Sequence, residues 1–571
     1  MGVFSENKSI LKKHFGKFIW ILLLWFSHDL NAQTIIPGGY VSGYWDSAGS
    51  PYLVDGNLLV QPDSTLETGP GTQILFRGDF RLEIHGQLLV NGTPTQPVLF
   101  DGEDESVTWR GIYFNNTDTS ITDSSILVFG TISNCLGGSG LTLINSGRVR
   151  VSDFTISHCS TFQGGAIRCA GSNPLFVNLL VENNTALDGA GIALDGSNAI
   201  LRNCMIRNNS ADGAGGGIVI FDGSFPVLEY CEFSANTAYG SGGGIYINGS
   251  GPVFRRCSII ANTGAIFGSE LYSGGGVSVK LGSNPIFENC IFENNISHRE
   301  GGGIASFSEN KIINCLFRGN TAEVKGGGAF LSSGNLIASN LNNCTFSGNE
   351  SPQGSALAAR NHKAVLRNCI LWHSNPSNPE SIIFLDAISS NYILDAYFND
   401  IRSGEEGIQL AGGADYLWGV GNIDLDPQFL PGTCDLSWQS PCIEAGTLDT
   451  NGLYLPGLDL SGNPRFVNER IDMGSMEYQS VLSVQSSMFK VQSGVSLYPN
   501  PAKNWIFIDI GNETKYVHFQ IFNRNGVLLK ENSFESGNQY RINTSDFPAG
   551  IYILKINSEN EVITRKFTVL N

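Results

Sequence analysis

Short runs of alternating apolar and polar residues recur through the middle of the chain with a period of about 25 residues. Each copy has a cysteine, a large apolar residue two positions later and an asparagine five positions later, followed by a glycine cluster. Examples are NCMIRNNSADGAGGGI from Asn203, YCEFSANTAYGSGGGI from Tyr230 and NCIFENNISHREGGGI from Asn289. Because side chains alternate between the two faces of a strand, this spacing predicts a short strand with the cysteine and the apolar residue on one face. A second short strand is expected after each glycine cluster.

The repeat predicts an all-β chain built as a parallel β-helix. Strands this short cannot bury an apolar face alone, whereas stacked copies pair in parallel about 4.8 Å apart and bury a continuous core. About a dozen coils are expected at that spacing. The L-x-x-L-x-L pattern of leucine-rich repeats is absent, and propeller repeats are longer, at about 40–45 residues.

Stacking in register turns each repeated position into a ladder. The asparagines that can bond to one another and to the turn backbone are Asn184, Asn209, Asn236, Asn262, Asn295, Asn320 and Asn349. The cysteines at one inward position are Cys204, Cys231, Cys257, Cys290, Cys315, Cys344 and Cys369. Cβ atoms about 4.8 Å apart exceed the ~3.8 Å that a disulfide prefers, so these cysteines are interpreted as buried thiols. Cys434 and Cys442 lie outside the ladder and are the best candidates for a disulfide.

The repeated phrases resemble a known family. FSAN at Phe233–Asn236, FENN at Phe292–Asn295 and FRGN at Phe317–Asn320 are similar to the F-x-x-N element of the polymorphic outer-membrane protein repeat, and GGAI at Gly164–Ile167 is similar to its G-G-A-I element. The resemblance implies a right-handed β-helix at the cell surface, with adhesion as a role of some relatives only. The segment that follows Cys369 and ends with DLSGNPRFVNERIDMGSMEY (Asp459–Tyr478) resembles the end region of bacterial β-helix proteins described as having a choice of anchor.

The N-terminus predicts a signal peptide. Lys12, Lys13 and Lys17 precede the apolar run 18–26, and a plausible cleavage site follows Ala32. This run is shorter than the about 20 residues that a transmembrane helix needs, and no later stretch is long and apolar enough. The mature chain is therefore expected to have no transmembrane segment, and a short membrane anchor is the alternative reading of the N-terminus.

The C-terminus predicts a small immunoglobulin-like β-sandwich. LYPNPAKNWIFIDI from Leu497, DFPAGIYILKI from Asp546 and the Asn525-Gly526 hairpin signal also resemble the type A sorting domain of the type IX secretion system. The resemblance implies the type IX machinery as a partner, passage through the periplasm, and a final location outside the cell or at the outer-membrane surface. An appended immunoglobulin-like binding module is the alternative.

The predicted organisation has six parts: a signal peptide (1–32), N-terminal β-helix coils and cap (33–130), β-helix repeats (131–432), the β-helix end region (433–478), a linker (479–489) and the sorting domain (490–571).

The net charge of the chain limits the classes of ligand that it is expected to bind. The formal net charge is −18, so a basic surface for nucleic acid or anionic lipid is not expected. No cofactor is predicted. Calcium is compatible with the acidity, and the candidate ligands are Asp424, Asp426, Asp459 and Asp472, although capping of turns is the favoured role for these residues. No C-x-x-C pair or His/Cys cluster has the spacing of a zinc site.

Two functions stay open: a non-enzymatic scaffold for adhesion or glycan binding, and a polysaccharide lyase or hydrolase that uses a groove along the helix. No catalytic residue is predicted, because the histidines are scattered: His158, His298, His362 and His373. The interval 262–274 is longer than in other coils, and Glu270 and Tyr272 in it could wall a groove, although a tolerated surface insertion is favoured. A cluster of Arg or Lys with two or three carboxylates on one face would favour the enzyme, and an evenly polar face would favour the scaffold.

Overall fold

The computed structural model describes residues 33–104, 106–117, 124–266, 273–334, 336–372, 381–467, 470–479, 496–498, 502–523, 527–558 and 562–569. The chain divides after Gln479 into two compact units. The predicted signal peptide, all but the first residue of the predicted linker and the Asn525-Gly526 hairpin lie outside the described residues.

The first unit is an all-β right-handed parallel β-helix of about 14 turns, which confirms the predicted fold. Each coil passes through three sheets, here named A, B and C, and the middle coils add a short fourth sheet, D. Every strand of these sheets pairs in parallel with its counterpart in the next coil, as Ile245–Ile247 does with Val277–Val279.

The strands are as follows. Sheet A contains Gly39–Tyr40, Leu58–Val60, Leu82–Ile84, Ile112–Asn115, Leu141–Ile144, Ile167–Ala170, Ile192–Asp195, Ile218–Phe221, Ile245–Ile247, Val277–Val279, Ile304–Ser306, Ala329–Ser332 and Leu357–Arg360. Sheet B contains Gly43–Trp45, Thr65–Thr68, Gln87–Asn91, Leu175–Val177, Ile200–Arg202, Val227–Glu229, Val253–Arg255, Ile286–Glu288, Lys311–Ile313, Ala338–Asn342 and Lys363–Arg367. Sheet C contains Thr34–Ile36, Tyr52–Val54, Gln73–Phe76, Val98–Gly102, Leu180–Glu182, Met205–Arg207, Glu232–Ser234, Ser258–Ile260, Ile291–Glu293, Leu316–Arg318, Thr345–Ser347, Ile370–Trp372 and Asp400–Ile401. Sheet D contains Ser160–Gln163, Thr185–Asp188, Ser210–Ala211, Thr237–Ala238, Thr263–Gly264, Ile296–Ser297 and Thr321–Ala322.

Four longer strands turn a corner and serve two sheets. Ser125–Ser133 and Val149–Ser157 run from sheet B into sheet C, and Ile383–Tyr397 and Ile408–Trp418 run from sheet A into sheet B. Short 3₁₀ turns occupy Ser47–Gly49 and Gly404–Gly407.

The inward side chains stack coil upon coil. The ring of Phe292 lies on that of Phe317 with centroids 4.4 Å apart, and Phe317 lies on Phe346 at 4.5 Å, both pairs nearly coplanar. All three rings are at most 1% exposed. Burial of each ring contributes about 1.5–3 kcal/mol, and each stacked pair adds about 0.5–1.5 kcal/mol.

The corner between sheets B and C depends on a second set of asparagines. The residue before the ladder cysteine, or before its substitute, has a φ between 52° and 56° in eight coils; it is Tyr230 and Arg256 in two of them and asparagine in the other six. Asparagine adopts this left-handed backbone more readily than most residues because its short amide can bond locally. The six residues are Asn178, Asn203, Asn289, Asn314, Asn343 and Asn368.

Residues 419–479, here named the C-terminal strap, return along the B–C corner after the last sheet strand. The guanidinium of Arg256 donates to the carbonyl of Asp459 at 3.3 Å, and the amide of Asn343 donates to the carbonyl of Asp472 at 3.0 Å. The last strand of the sheets ends at Trp418, and the strap covers the last coils.

The strap contains its own buried ion cluster. Arg465 is completely buried, donates to the carbonyl of Gly474 at 2.6 Å, and has Glu477 Oε2 3.5 Å from Nη1. Burial raises the pKa of Glu477 to about 8 and that of Asp472 to about 6.

The second unit is an antiparallel sheet with a separate core. Its strands are Ser496–Tyr498, Trp505–Asn523, Leu528–Asn543, Gly550–Ser558 and Val562–Val569. Ile506, Phe519, Leu554 and Phe567 lie in a hydrophobic cluster that is distinct from the core of the β-helix. These strands are consistent with the predicted β-sandwich.

Candidate ligand-binding face on sheet A

The predicted asparagine ladder lies inside the rod at the corner after sheet C. The Asn295 amide donates to the Ile259 carbonyl at 2.8 Å and to Asn320 Oδ1 at 2.9 Å, while its oxygen accepts from the Asn262 backbone at 3.0 Å. Amide bonds of the same kind link the whole series, Asn184, Asn209, Asn236, Asn262, Asn295, Asn320 and Asn349, none more than 3% exposed. These residues bind the chain to itself and present no surface to a ligand.

The ladder cysteines are buried and free. All seven, Cys204, Cys231, Cys257, Cys290, Cys315, Cys344 and Cys369, are unpaired thiols at most 2% exposed. Burial raises the pKa of Cys257 and Cys290, so their nucleophilic thiolate form is disfavoured. These side chains pack as small apolar groups.

The structure corrects the expected pairing of Cys434 with Cys442, since both are free thiols. The Cys442 thiol donates instead to Asp400 Oδ2 at 3.1 Å, and Cys434 bonds to Ser347. The two cysteines thus join the strap to different strands of sheet C.

The four aspartates considered for calcium all accept backbone N–H bonds. Asp459 accepts from Asn463 at 2.7 Å and from Glu477 at 2.9 Å, and Asp472 accepts from Glu444 at 2.7 Å. Asp424 and Asp426 do the same with one backbone donor each. Within the described residues, no group of three or more His, Cys, Asp or Glu side chains is placed to hold a metal ion.

The structure does not assemble the scattered histidines into one site. His298 Nδ1 lies 2.8 Å from Glu323, and His362 Nε2 lies 2.8 Å from Ser339. Burial lowers the pKa of His362 to about 4. His158 occupies a corner with a φ of 56°, and Glu270, Tyr272 and His373 lie outside the described residues.

A group of charged side chains lies on the outer side of sheet A, where five consecutive coils meet. We name it the sheet-A cluster, and its six members are Lys280, Arg299, Glu300, Lys325, Arg360 and Asp386. The coils place its members by register: Glu300 pairs with Lys325 at the corner before sheet A, and Arg360 pairs with Asp386 at the ends of adjacent strands.

The distances define two groups of ion pairs within the cluster. Asp386 Oδ2 is 3.7 Å from Lys325 Nζ and 3.7 Å from Arg360 Nε, and Arg299 Nη2 is 3.5 Å from Glu300 Oε1. The side chains of Glu300 and Lys325 are only 16% and 19% exposed. The Arg299–Glu300 and Lys325–Asp386 pairs are therefore partly shielded from water, which strengthens their electrostatic interactions, whereas the Arg360 side chain is 56% exposed.

Aromatic rings line the same face. Lys280 Nζ is 4.8 Å from the ring centroid of Phe307 and 5.9 Å from that of Tyr246, and Lys325 Nζ is 4.6 Å from that of Phe384. Cation–π contacts of this kind contribute about 0.5–2 kcal/mol. Phe384 also joins a small hydrophobic cluster that lies outside the main core of the rod.

Burial changes the acid–base properties of the cluster. It lowers the pKa of Lys280 to about 8, although Glu300 acts in the opposite direction. Burial also raises the pKa of Glu300, while Arg299, Lys325 and Arg360 oppose the increase. Lys280 is therefore a lysine whose neutral form is accessible near neutral pH.

Charges on the other two faces largely pair with one another in register. Arg202 Nε lies 3.0 Å from Glu229 Oε2 on sheet B, and Arg207 Nε lies 2.8 Å from Glu182 Oε2 on sheet C. Exposed pairs of this kind contribute about 0–1 kcal/mol and neutralise the surface on which they lie.

Inspection of the strand positions alone misses the sheet-A cluster, because half of it comes from the corners. The usable signal is the residue before the triple glycine, which is Glu300 in HREGGG and Lys325 in EVKGGG. Opposite charges at one position of successive repeats indicate neighbours one coil apart.

Comparison with known proteins identifies both units. Residues 105–262 and 229–371 match the family described as the right handed beta helix region, and residues 496–570 match the secretion system C-terminal sorting domain. No curated protein matches the chain. The crystal structure of pectate lyase Pel9A is similar over 75% of this chain and 88% of its own, at 13% identity and a TM-score of 0.28. The predicted β-helix and sorting domain are confirmed, and the sorting domain links the chain to type IX secretion and to export to the cell surface or beyond.

A search for membrane-spanning helices finds none among the residues that the structure describes.

Proposed function

We propose that this protein is exported by the type IX secretion system and binds polysaccharide outside the cell through the outer side of sheet A. The sorting domain and the predicted signal peptide support export, and attachment at the outer-membrane surface is part of the proposal. The β-helix supplies a rigid face on which side chains repeat from coil to coil.

The observation that carries the binding proposal is the juxtaposition of rings and charges in the sheet-A cluster. Sugar rings offer hydroxyl groups to charged side chains and C–H surfaces to aromatic rings, and ligand sites combine apolar walls with a few polar groups in this way. Phe307 and Tyr246 provide rings next to Lys280, and Arg360 with Asp386 provides a donor–acceptor pair.

Retention of the full chain on a panel of immobilised acidic and neutral polysaccharides tests this proposal. The double variant Arg360→Gln/Asp386→Asn should lose most of the retention. The control Arg202→Gln/Glu229→Gln removes an ion pair of the same charge from sheet B. This variant should be retained on the polysaccharide as strongly as the parent is. Equal retention by the two variants would contradict the placement of the site on sheet A.

Cleavage of the bound polysaccharide is a second candidate, and Lys280 is the observation that favours it. A general base works best with a pKa near the working pH, and burial brings the pKa of Lys280 to about 8. The cluster also has the combination of Arg, Lys and carboxylates on one face that is expected of a polysaccharide-cleaving β-helix. Release of unsaturated or reducing-end products, measured with and without calcium, tests this candidate. Product formation that Lys280→Gln abolishes would support it, whereas retention without product would leave the binding function alone.

A further inference from the structure

We infer that the outer side of sheet B binds a second copy of this chain, with the two β-helices side by side and antiparallel. The surface, here named the sheet-B face, consists of five consecutive strands: Leu175–Val177, Ile200–Arg202, Val227–Glu229, Val253–Arg255 and Ile286–Glu288. Sheets A and B are different sides of the β-helix, so this inference and polysaccharide binding can fail separately.

An aliphatic row runs along the sheet-B face. The middle residue of each strand lies in the core, so the first and third residues point outward, and the first residues pair in register from coil to coil. The five residues of this row are half-buried or exposed: Leu175, Ile200, Val227, Val253 and Ile286. The row ends at a charged residue on either side, Arg150 in the coil before it and Lys311 in the coil after it. A contiguous aliphatic strip of this kind is typical of a surface that binds another protein.

The middle strand of the face has an exposed aromatic residue at each end. Phe225 precedes the strand and is 56% exposed, and Tyr230 follows it and is 61% exposed. Tyr230 has a φ of 56°, a left-handed backbone that bulky residues rarely adopt. Unfavourable backbone of this kind is often retained where a side chain serves binding, and aromatic residues are enriched in protein interfaces. The two preceding coils have asparagine at both positions: Asn173, Asn178, Asn198 and Asn203.

The sheet-B face is continuous with a surface that already binds polypeptide, because the strap begins to cover this side of the β-helix at the next coil. Arg256 occupies there the position that Tyr230 has in its own coil, with a φ of 52°, and donates to the carbonyl of Asp459 on the strap. Two coils further, the ring centroid of Tyr454 on the strap lies 4.7 Å from Lys311 Nζ. The exception at Arg256 therefore serves a protein contact, and Tyr230 presents the equivalent position without the strap.

The charges of the face favour a second copy over other protein partners. The third residues of four successive strands alternate in sign and are linked by distances of 3.0, 3.6 and 3.6 Å, in the order Arg202, Glu229, Arg255 and Glu288. A two-fold axis parallel to the strands reverses this order, so that Arg202 faces the partner's Glu288 and Glu229 faces the partner's Arg255. Every charge of the row then meets its opposite, as an isologous interface requires.

The same rotation lays the aliphatic row of one copy on that of the other, with Val227 opposite the partner's Val253. The four charges of the row sum to zero, whereas the whole chain has a formal net charge of −18. Two acidic chains therefore meet less repulsion along this row than along a surface with an excess of carboxylates.

The size of the face sets the expected affinity. Five strands about 4.8 Å apart, over a width from Phe225 to Tyr230, give an area of roughly 400 Å² per copy, about half of the ~800 Å² of a standard interface. We therefore expect weak association, with a dissociation constant on the order of 10–100 μM.

Sedimentation velocity of the full chain tests the inference, at concentrations from about 1 μM to about 1 mM, which bracket that dissociation constant. The chain should shift from monomer to dimer as the concentration rises. A monomer at every concentration would overturn the inference.

Two variants locate the interface. Val227→Lys places in the middle of the aliphatic row the residue that Lys311 already contributes to its end, and Tyr230→Asn restores the residue of the preceding coils. Each should weaken the dimer by roughly tenfold or more. Tyr230→Asn should at the same time keep or raise the unfolding midpoint, because asparagine suits the left-handed corner, whereas a purely structural role of the tyrosine would lower it. The controls Met205→Lys on sheet C and Phe162→Thr on sheet D make similar changes elsewhere and should dimerise as the parent does.

Cross-linking tests the antiparallel arrangement. The twelve native cysteines are all buried, so an introduced surface cysteine is the preferred target of a short bismaleimide. Ile200 faces the partner's Ile286 in the proposed dimer, whereas the two copies of Ile200 are about 14 Å apart along the axis. An equimolar mixture of Ile200→Cys and Ile286→Cys chains should therefore cross-link, and neither variant should do so alone. Cross-linking of each variant with itself would indicate parallel rods and would overturn the inference.

The remaining outcomes concern other occupants of the face. A dimer that persists unchanged in Val227→Lys and Tyr230→Asn would place the contact on another surface and overturn the inference. A complex of the monomer with a different protein, lost in Val227→Lys, would assign the face to that partner instead. Polysaccharide retention is measured separately on sheet-A variants, and none of these results changes its interpretation.

Discussion

At the residue scale, adjacent asparagines in this chain have different structural roles. Asn294 is exposed and supplies a left-handed corner with a φ of 53°, whereas Asn295 is buried and bonds to both neighbouring coils. Asn295→Ala should lower the free energy of unfolding by about 3 kcal/mol or more, because it leaves several buried polar groups without partners. Asn294→Gly preserves the left-handed backbone of the corner and should change the free energy of unfolding by less than about 0.5 kcal/mol. Denaturant unfolding of both variants measures the difference, and similar losses would show that the ladder bonds do not carry the stability.

Lys280 gives a second prediction at this scale, which concerns the pH dependence of ligand binding. Its pKa of about 8 means that its positive charge falls as the pH rises through 8. Affinity for the polysaccharide should therefore decrease between pH 7 and pH 9, because a neutral amine donates weaker hydrogen bonds to sugar hydroxyl groups than an ammonium does. Lys280→Arg should flatten that decrease, because a guanidinium stays charged over this range. Calorimetric titrations at several pH values measure the slope, and an equal slope in parent and variant would assign it to another group.

At the scale of elements, the strap contacts a buried carboxyl whose pKa lies near neutral pH. Asp400 is fully buried, accepts the Cys442 thiol at 3.1 Å and the Leu425 N–H at 3.2 Å, and burial raises its pKa to about 7. A raised carboxyl pKa stabilises the fold below the unfolded value of about 4, and that contribution is lost as the pH rises through 7. The strap should thus be cleaved faster by protease at pH 8 than at pH 5.

Asp400→Asn provides the check, because the amide keeps an acceptor for Leu425 and cannot ionise. The variant should show a smaller difference in cleavage between the two pH values than the parent. Some difference should remain, since burial also raises the pKa of Glu477 and Asp472 on the strap. Asp449→Asn alters a strap carboxylate that caps Asn451 and should behave as the parent does. An unchanged profile in Asp400→Asn would exclude this carboxyl as the titrating group.

The elements also differ in how far the sequence alone predicts them. Asn295 and Phe292 recur at fixed spacing, so their ladder and their stack follow from the repeat alone. The strap does not repeat, and contacts such as Asn343 with Asp472 span 129 positions of the chain, which no periodicity encodes. The alternation of apolar and polar residues does not reveal the sheet-A cluster. Glu300 and Lys325 lie at corners, where the register between neighbouring coils decides which side chains come together.

At the scale of the whole molecule, the chain is strongly acidic, with a formal net charge of −18, and many of its arginines form ion pairs between neighbouring coils. Arg202 and Arg207 pair within their own sheets, whereas the sheet-A cluster gathers cations from four coils. Repulsion among the remaining carboxylates favours solubility outside the cell and disfavours non-specific contact with other polyanions. Polysaccharide binding is proposed for the outer side of sheet A, which is why its matched control, the Arg202–Glu229 pair, lies on sheet B.

The two units should also be separable in stability, because each has its own hydrophobic core. A chain of residues 33–479 contains every strand of sheets A to D and the strap that covers the last coils. Its denaturant midpoint should match the transition assigned to the β-helix in the full chain, and its retention on polysaccharide should be unchanged. In the producing cell, loss of residues 496–570 should prevent appearance of the protein at the surface or in the medium, since that segment matches the sorting domain. A lowered midpoint in the shortened chain would show that the sorting domain stabilises the β-helix, and normal export without it would assign sorting to another part of the chain.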